Sequence, residues 1–510
     1  MSVAKQVFVT EFREIVACQP NKIALLGPDN TTLTYLEFNH QIEQACNWLS
    51  TLGLKSGDRL MVVLPNAIET AVVFLASVMM GYVYAPLPCA STADEIKNAC
   101  NLISPKVCFI SESISTVVKQ SINVSNTTIE LIEICHDALP WTLHSYNHEI
   151  NFPGGGQVLL ASSGATGASK GMLLDGDRLW SSAKAFLKYH NIQNADLRVW
   201  NYLPMSYLGG LFNLLLIPLA GGGSIYVDET FNGRTFLTFW QTVNRFEINT
   251  LWLVPTILRG LLTLADKVLS KQLNEQCSKI NHCFIGTAPV SSQEKQKFHD
   301  AFGIQPLENY GLSETTFISS ERIGALDGDK AQGVGKVMPD VDIKLKPMRN
   351  REDKVSQIWV RTPYMMIGYS DVSGFKAPLL DSEGFWYTGD LGHLSNGNLI
   401  LSGRERDIIK KGGILIELRE IELLTEKFFG VAEAVAVKKD HAFYGESYDL
   451  YIRTLDSVVN INQFKESLNA WLCEQVIQHK WPDDIIHMKT FPMTSTGKVK
   501  KHGFSKGSIV

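Results

Sequence analysis

Residues 59–87 read RLMVVLPNAIETAVVFLASVMMGYVYAPL. Leu60–Leu64 is a short apolar run ended by Pro65, which reads as a buried strand. Asn66–Met80 continues at helical length. Gly81 stops that helix, and Tyr82–Leu87 is extended again. Ala71–Leu87 carries no charge and approaches the length of a membrane span. Gly81 and Pro86 interrupt it, so the segment reads as buried helix, glycine stop and buried strand.

The same alternation spreads outward. Upstream, Thr34-Tyr35-Leu36-Glu37 has the spacing of a capping box. Ile42, Ala45, Trp48, Leu49 and Leu52 follow at helical period, and Gly53 ends the run. Downstream, Asp94–Ile103 reads as helix and Val107–Ile110 as strand. The pattern returns at Leu251–Val254 and Cys283–Ile285. Buried strands alternating with helices predict an α/β fold, with doubly wound sheets covered by helices on both faces. From about residue 333 to 402 the texture changes to short runs such as DIKLKP, QIWVRTP and NLILSG between Gly, Asn and Asp turns. That predicts a distorted β-barrel subdomain. The charged stretch RERDIIKKGG follows without an apparent core of its own. Helix (419–429), strand (432–437), strand (450–454) and helix (461–475) then make a small α+β domain. The expected division is residues 1–403 and 404–510, hinged within 404–411.

Composition removes several function classes. With 45% hydrophobic and 19% charged residues, the chain has a soluble globular composition. A net charge of −5 gives no electrostatic reason for a nucleic-acid partner. Nine scattered cysteines without a CxxC fit reduced thiols in a cytoplasm better than a disulfide framework. Glu11, Arg13 and Glu14 interrupt any signal-peptide core, so no secretory leader is expected here.

Five segments carry the chemistry. Leu159–Gly171, LLASSGATGASKG, runs from an apolar strand into small residues, hydroxyls, glycines and one lysine. Glycines let backbone N–H groups approach phosphate oxygens, and Lys170 adds charge. The common P-loop spacing fails, because it would need a glycine at Ala165. Tyr310-Gly311-Leu312-Ser313-Glu314 follows; alone, it reads equally as a helix start capped by Ser313. Asp390, in Thr388-Gly389-Asp390, can accept two bonds from a ribose diol, although a turn aspartate is more often structural. Gly403–Asp407 and the polar loop Pro492–Lys498 complete the set.

In this order and spacing, the segments resemble the adenylate-forming superfamily of acyl- and aryl-CoA synthetases, luciferases and peptide-synthetase adenylation domains. The likeness runs from Thr34 to Lys498 and implies ATP-dependent activation of a carboxylic acid, with transfer to a thiol. It implies that Ser162, Ser163, Gly164, Thr166, Gly167 and Lys170 hold the β- and γ-phosphates. Tyr310 would pack on adenine, with Asn309 bonding its amino group. Ser313 would contact the α-phosphate and Glu314 would ligate Mg²⁺. Asp390 and Arg404 would bind ribose or phosphate, and Arg406 would be the hinge. Gly413 would flank the thiol tunnel, and Lys498 would be the catalytic lysine of adenylation. ATP, Mg²⁺ and CoA are the implied cofactor and substrates. A carrier-protein phosphopantetheine is the alternative acceptor, and a vestigial nucleotide-binding protein is the alternative of another class.

The chain departs from the family pattern at Ala165, which lacks a hydroxyl, and at Ser169 and Leu418, which replace prolines. Tyr207 and Gly176 stand where histidine is frequent. The acyl pocket implied by position takes in Tyr207, Leu208, Gly209, Trp252 and Gly286. The Pro204–Leu211 segment has no Asp or Glu to pair an α-ammonium, which disfavours a free amino acid. Side-chain polarity alone points to an apolar aryl or medium-length aliphatic acid.

Overall fold

The computed structural model describes residues 6–501 and 504, apart from 115, 117, 121–128, 136–138, 143–151, 164–168, 193–195, 266–276, 278, 288–289, 324–332, 349–354, 372–373, 412–413, 456–459 and 494–498. Two compact units result. The first comprises residues 1–331, 335–342 and 361–379; the second comprises 332–334, 343–360 and 380–510.

The first unit holds two α/β sheets. In one, Arg59–Val63 lies between Val83–Pro86 and Val107–Ile110, all parallel. Apart from Arg59, which opens the first of them, these strands are apolar and buried, as a strand covered on both faces must be. The strand Gln157–Ser163 joins Val83–Pro86 in parallel and turns back antiparallel through Ser169–Asp175. Gly368–Asp371 then adds antiparallel to Ser169–Asp175. In the other sheet, Ile23–Leu26, Ser224–Val227, Arg198–Asn201, Thr250–Leu253, His282–Ile285 and Pro306–Leu312 run parallel. Thr316–Ser320 closes back antiparallel on the last of them.

Local expectations hold where the signals are local. The Thr34 box forms: its hydroxyl accepts from Glu37 N at 3.2 Å, while its own N–H donates to the Glu37 carboxylate at 2.8 Å. Its helix spans Tyr35–Thr51, and Gly53 follows at φ +66°. The uncharged stretch divides into the helix Ile68–Met79, Gly81 at φ +78° and the strand Val83–Pro86. No helix among the described residues is long and apolar enough to cross a membrane.

In the second unit, Ser356–Arg361, Trp386–Ser395 and Asn398–Arg404 form an antiparallel meander. Val431–His441 and Gly445–Thr454 form a long hairpin, with Ile408–Lys411 paired to its far strand and to Ile414–Glu417. The stretch after Gly403 does have a core, contrary to its charged appearance. Ile409 is fully buried and packs with Ile416, Leu418, Ile421, Leu450 and Leu468. Strand alternation is the reason, since Ile408–Lys411 turns every second side chain inward. Leu418 begins the helix Leu418–Thr425 and is 1% exposed. Proline would be tolerated at that first helical position, but leucine there adds core surface.

Candidate active site

The phosphate-loop segment is flanked by two antiparallel strands, Gln157–Ser163 and Ser169–Asp175. Buried Val158, Leu159 and Leu160 hold its first strand in the sheet, and the register pairs Ser162 with Lys170 and Ser163 with Ser169. Gly164, Ala165, Thr166 and Gly167, between these strands in the chain, lie outside the described residues. Lys170 is exposed on the return strand. Gly171 lets Leu159 and the strand bearing Ser370 approach: a Cβ there would lie 2.9 Å from Leu159 Cδ2. Gly176, at a position often histidine in the family, opens the helix Gly176–Tyr189 with Gly156 O only 2.9 Å from where its Cβ would stand. A side chain there would collide with Val78 and the Gly156 carbonyl, which gives this departure a packing cause.

Tyr310–Glu314 is not a helix start. The strand Pro306–Leu312 continues through Tyr310 and Gly311, with a register shift between them, and residues 313–315 form the turn into Thr316–Ser320. The strand wins because Pro306–Glu308 pairs in parallel with Cys283–Ile285 and Asn309 onward pairs with Thr316–Ser320. The turn is tight. Thr316, a β-branched residue, sits at φ +57°, a costly conformation. Its hydroxyl lies 2.7 Å from Ser182 Oγ in the interior. At Gly311 a Cβ would run into the Thr316 carbonyl.

Glu314 is strapped from outside this turn. Its carbonyl accepts Met366 N at 2.7 Å, and its Oε1 accepts the Tyr369 hydroxyl at 2.8 Å. Burial, then the Glu314 charge, pushes the Tyr369 hydroxyl well above its ordinary pKa, so it stays a neutral donor. Tyr369 belongs to the strand that pairs with the phosphate hairpin, opposite Met172. The first unit therefore ties Glu314 to the hairpin that carries Lys170. Ser313 is exposed beside it.

Tyr310 is 7% exposed and Asn309 8%. As consecutive strand residues they point to opposite faces. Ser320 Oγ donates to Asn309 Oδ1 at 2.6 Å, and His190 Nε2 lies 3.0 Å from the same hydroxyl. One hydroxyl has one proton, so His190 donates from Nε2. Burial, then His282 and Arg322, holds this imidazole down to about 3, so it is neutral. The Asn309 amide is thus held from within the protein. Beside it, Lys295 Nζ bonds Glu308 at 3.1 Å and Glu321 at 2.8 Å, all three buried. Val290 N donates to Glu308 at 3.3 Å, which ties the segment after Gly286 to the Tyr310 strand. Burial pushes the Glu308 carboxyl up to about 7 despite Lys295.

The residues assigned to the acyl part also lie in the first unit. Tyr207, Leu208 and Gly209 are half-buried and lead into the π-helical turns Gly209–Leu216. Gly210 packs so closely on Leu203 and Pro204 that no side chain fits. Trp252 is 3% exposed, and Gly286 is buried.

In the second unit, Asp390 and Arg404 are register partners on adjacent strands, joined at 2.7 Å between Oδ1 and Nε. Asp390 is 4% exposed, its N–H bonds Thr388 Oγ1 at 3.0 Å, and Gly389 supplies φ +76°. The Arg406 side chain, Gly413 and Lys498 lie outside the described residues. Sequence reasoning missed Tyr369, His190, Ser320 and the Lys295 cluster. Their partners lie far off in the chain, and no local spacing announces them.

Comparison with known proteins fits this arrangement. The family model described as AMP-binding enzyme matches residues 12–370. An oxalate–CoA ligase of Arabidopsis thaliana is 25% identical over 94% of this chain and 95% of its own length. The medium-chain fatty-acid–CoA ligase of Escherichia coli (strain K12) is 23% identical over 96% and 88%. In fold, ATP-bound MatB from Rhodopseudomonas palustris superposes with a TM-score of 0.82 at 24% identity, over 96% of this chain and 97% of that one. The family model covers well over half of the residues, and the chain belongs to the AMP-binding enzyme family.

Proposed function

We propose that this AMP-forming ligase activates a small carboxylic acid with ATP, releases pyrophosphate, and passes the acyl group to the thiol of CoA. The observation that carries the reading is the strap from the phosphate hairpin through Tyr369 to Glu314, within a chain of this family. Relatives named as oxalate–, sulfoacetate– and medium-chain fatty-acid–CoA ligases support CoA as the acceptor.

The residues divide the work by chemistry. The acid must approach the α-phosphorus as an anion meeting an anion. Glu314 suits a hard cation: one carboxylate oxygen is fixed by Tyr369, and the other has no partner among the described residues. Bound there, Mg²⁺ would neutralise charge on the phosphoryl oxygens. Ser162, Ser163, Gly164, Thr166, Gly167 and Lys170 would hold the outer phosphates, and Ser313 the α-phosphate. Tyr310 would offer its ring to adenine, with Asn309 beside it. Asp390 and Arg404, already paired, would exchange part of that bond for ribose hydroxyls. Lys498 would supply a further cation during adenylation. With 1–403 and 404–510 as the working division, a turn at Arg406 would then withdraw Lys498 and bring Gly413 to the thiol. Tyr207, Leu208, Gly209, Trp252 and Gly286 would line an apolar acyl site. The nine free cysteines support a reducing compartment such as the cytoplasm.

The test is thioester formation with free CoA, set beside the same assay with a phosphopantetheinylated carrier protein. Acyl-CoA and AMP in equal amounts are expected. Transfer to the carrier alone would replace the acceptor, and no adenylate with any acid would favour a vestigial binder.

A further inference from the structure

Tyr207, Leu208 and Gly209 lie on one loop, and an asparagine holds each end of it. Asn66 follows the strand Arg59–Val63 in the sheet of the phosphate hairpin. Its Nδ2 donates to the Leu203 carbonyl at 2.8 Å, and its Oδ1 accepts from Met205 N at 2.8 Å. One amide thus gives and takes a bond across Leu203-Pro204-Met205, as a neighbouring strand would. Asn201 ends the strand Arg198–Asn201 in the other sheet, the one that includes the Tyr310 strand. Its Nδ2 donates to the Gly210 carbonyl at 3.0 Å.

Between these two clamps the chain folds back on itself. Tyr207 N donates to the Pro204 carbonyl at 3.1 Å, and Leu211 N to the Tyr207 carbonyl at 2.9 Å. A Cβ on Gly210 would stand 2.2 Å from the Leu203 carbonyl oxygen, and one on Gly209 would stand 3.2 Å from Leu203 Cδ1. The two clamped ends therefore lie against each other, with Tyr207 and Leu208 on the chain between them. The π-helical turns Gly209–Leu216 continue from there, a geometry that recurs at functional sites. Asn201 is fully buried, and its Oδ1 has no partner among the described residues. An unpaired buried acceptor is unfavourable, and leucine, of similar size, would avoid it. The bond to Gly210, rather than packing, accounts for an asparagine there.

We propose that Asn66 and Asn201 are positioning residues for the acid, fixing the loop 203–210 from both sheets so that Tyr207, Leu208 and Gly209 form a site ready before the acid arrives. This rests on the reading of the chain as an acid-activating ligase whose acyl site includes those three residues. Neither asparagine has to touch the acid. A loop held in its binding conformation spares the acid the cost of ordering it. Because one clamp comes from each sheet, the loop is also referenced to the phosphate hairpin and to the Tyr310 strand, where the nucleotide would lie.

The experiment is acid-dependent ATP–pyrophosphate exchange with acetate, oxalate, octanoate and benzoate. It is run on the wild type, Asn66→Ala, Asn201→Leu and the double variant, with thermal melts to confirm folding and calorimetric titration with ATP in the absence of acid. Asn201→Ala serves where the leucine variant does not fold. Each single variant should lose about tenfold in kcat/KM for the best acid. The KM and the calorimetric Kd for ATP should stay within about twofold. The double variant should lose less than the product of the single losses, because a loop freed at one end gains little from its other clamp. Losses shared equally by acid and ATP would reduce both residues to supports of the fold. Losses that multiply would mean that they do not hold one loop. Folded variants with unchanged acid parameters would overturn the role outright. Exchange with none of the four acids would instead overturn the ligase reading, and this proposal with it.

Discussion

The Glu314 turn and the Asp390–Arg404 pair are built by opposite means. Asp390 and Arg404 meet because adjacent strands of one meander place them in register, fourteen positions apart in the chain. Any sequence that forms that hairpin brings them together. Glu314 sits on a turn that strains Thr316 and is held by Met366 and Tyr369, more than fifty residues away in the chain. The lesson is energetic. A register pair is inexpensive to make and suits a group that binds alike in ground and transition states. A strained, externally strapped turn persists only where the surrounding fold over-determines it, as pre-organised sites require.

The contrast can be broken at several points. The largest effect is expected at Lys498, whose cation is proposed to serve only adenylation. Lys498→Ala should slow adenylate formation by on the order of 10²–10³-fold. It should still convert supplied acyl-adenylate and CoA to thioester at near-normal rate. Equal losses in both half-reactions would deny that the lysine leaves between them. Asp390→Ala comes next. It should raise KM for ATP by about tenfold and leave kcat nearly unchanged, since ribose bonds are made in both states. A defect confined to kcat would put Asp390 in the chemistry instead. Tyr369→Phe keeps the ring and removes one bond to a carboxylate. A several-fold higher Mg²⁺ requirement is expected, of the order of one hydrogen bond to a charged group. Mn²⁺ titration of the ATP complex by electron paramagnetic resonance should show the same weakening without catalysis. Unaltered Mn²⁺ affinity would reduce the strap to packing.

The smallest effect on rate is expected at Glu308. Its carboxyl is raised from an ordinary 4.5 to about 7. Between these values the folded state binds more protons than the unfolded one. Stability from this group is therefore full below 4.5 and lost as pH rises through 7. Thermal melts across that window should fall with pH in the wild type and flatten in Glu308→Gln. Parallel curves would show that Lys295 keeps the carboxylate ionised throughout.

What could be read in the sequence divides along the same line. The capping box at Thr34, the glycine stop at Gly81, the strand Val107–Ile110 and the helix Ile461–Gln475 rest on local spacing, and the structure has them at those residues or within a position or two. Tyr310–Glu314 was ambiguous because a hydroxyl and a carboxylate after glycine suit a helix start as well as a turn. Parallel pairing to His282–Ile285 decided it. Ile409 was hidden among charges because a strand needs only alternate residues apolar. Tyr369, His190 and Lys295 acquire their meaning from partners on other elements. Likewise, the polarity around Trp252 was legible, but the rings clustered with it, Phe186, Phe212, Phe284 and Phe317, come from four separate segments.

The most direct measurement is ATP–pyrophosphate exchange over a panel of small carboxylic acids, titrated with Mg²⁺, in the wild type and in Glu314→Gln. The account predicts exchange in the wild type only when acid and Mg²⁺ are both present. It predicts a slower variant with a raised Mg²⁺ requirement, since a neutral amide is a poorer ligand for a hard cation. Exchange that needs no acid, or an identical Mg²⁺ dependence in the two proteins, would contradict it.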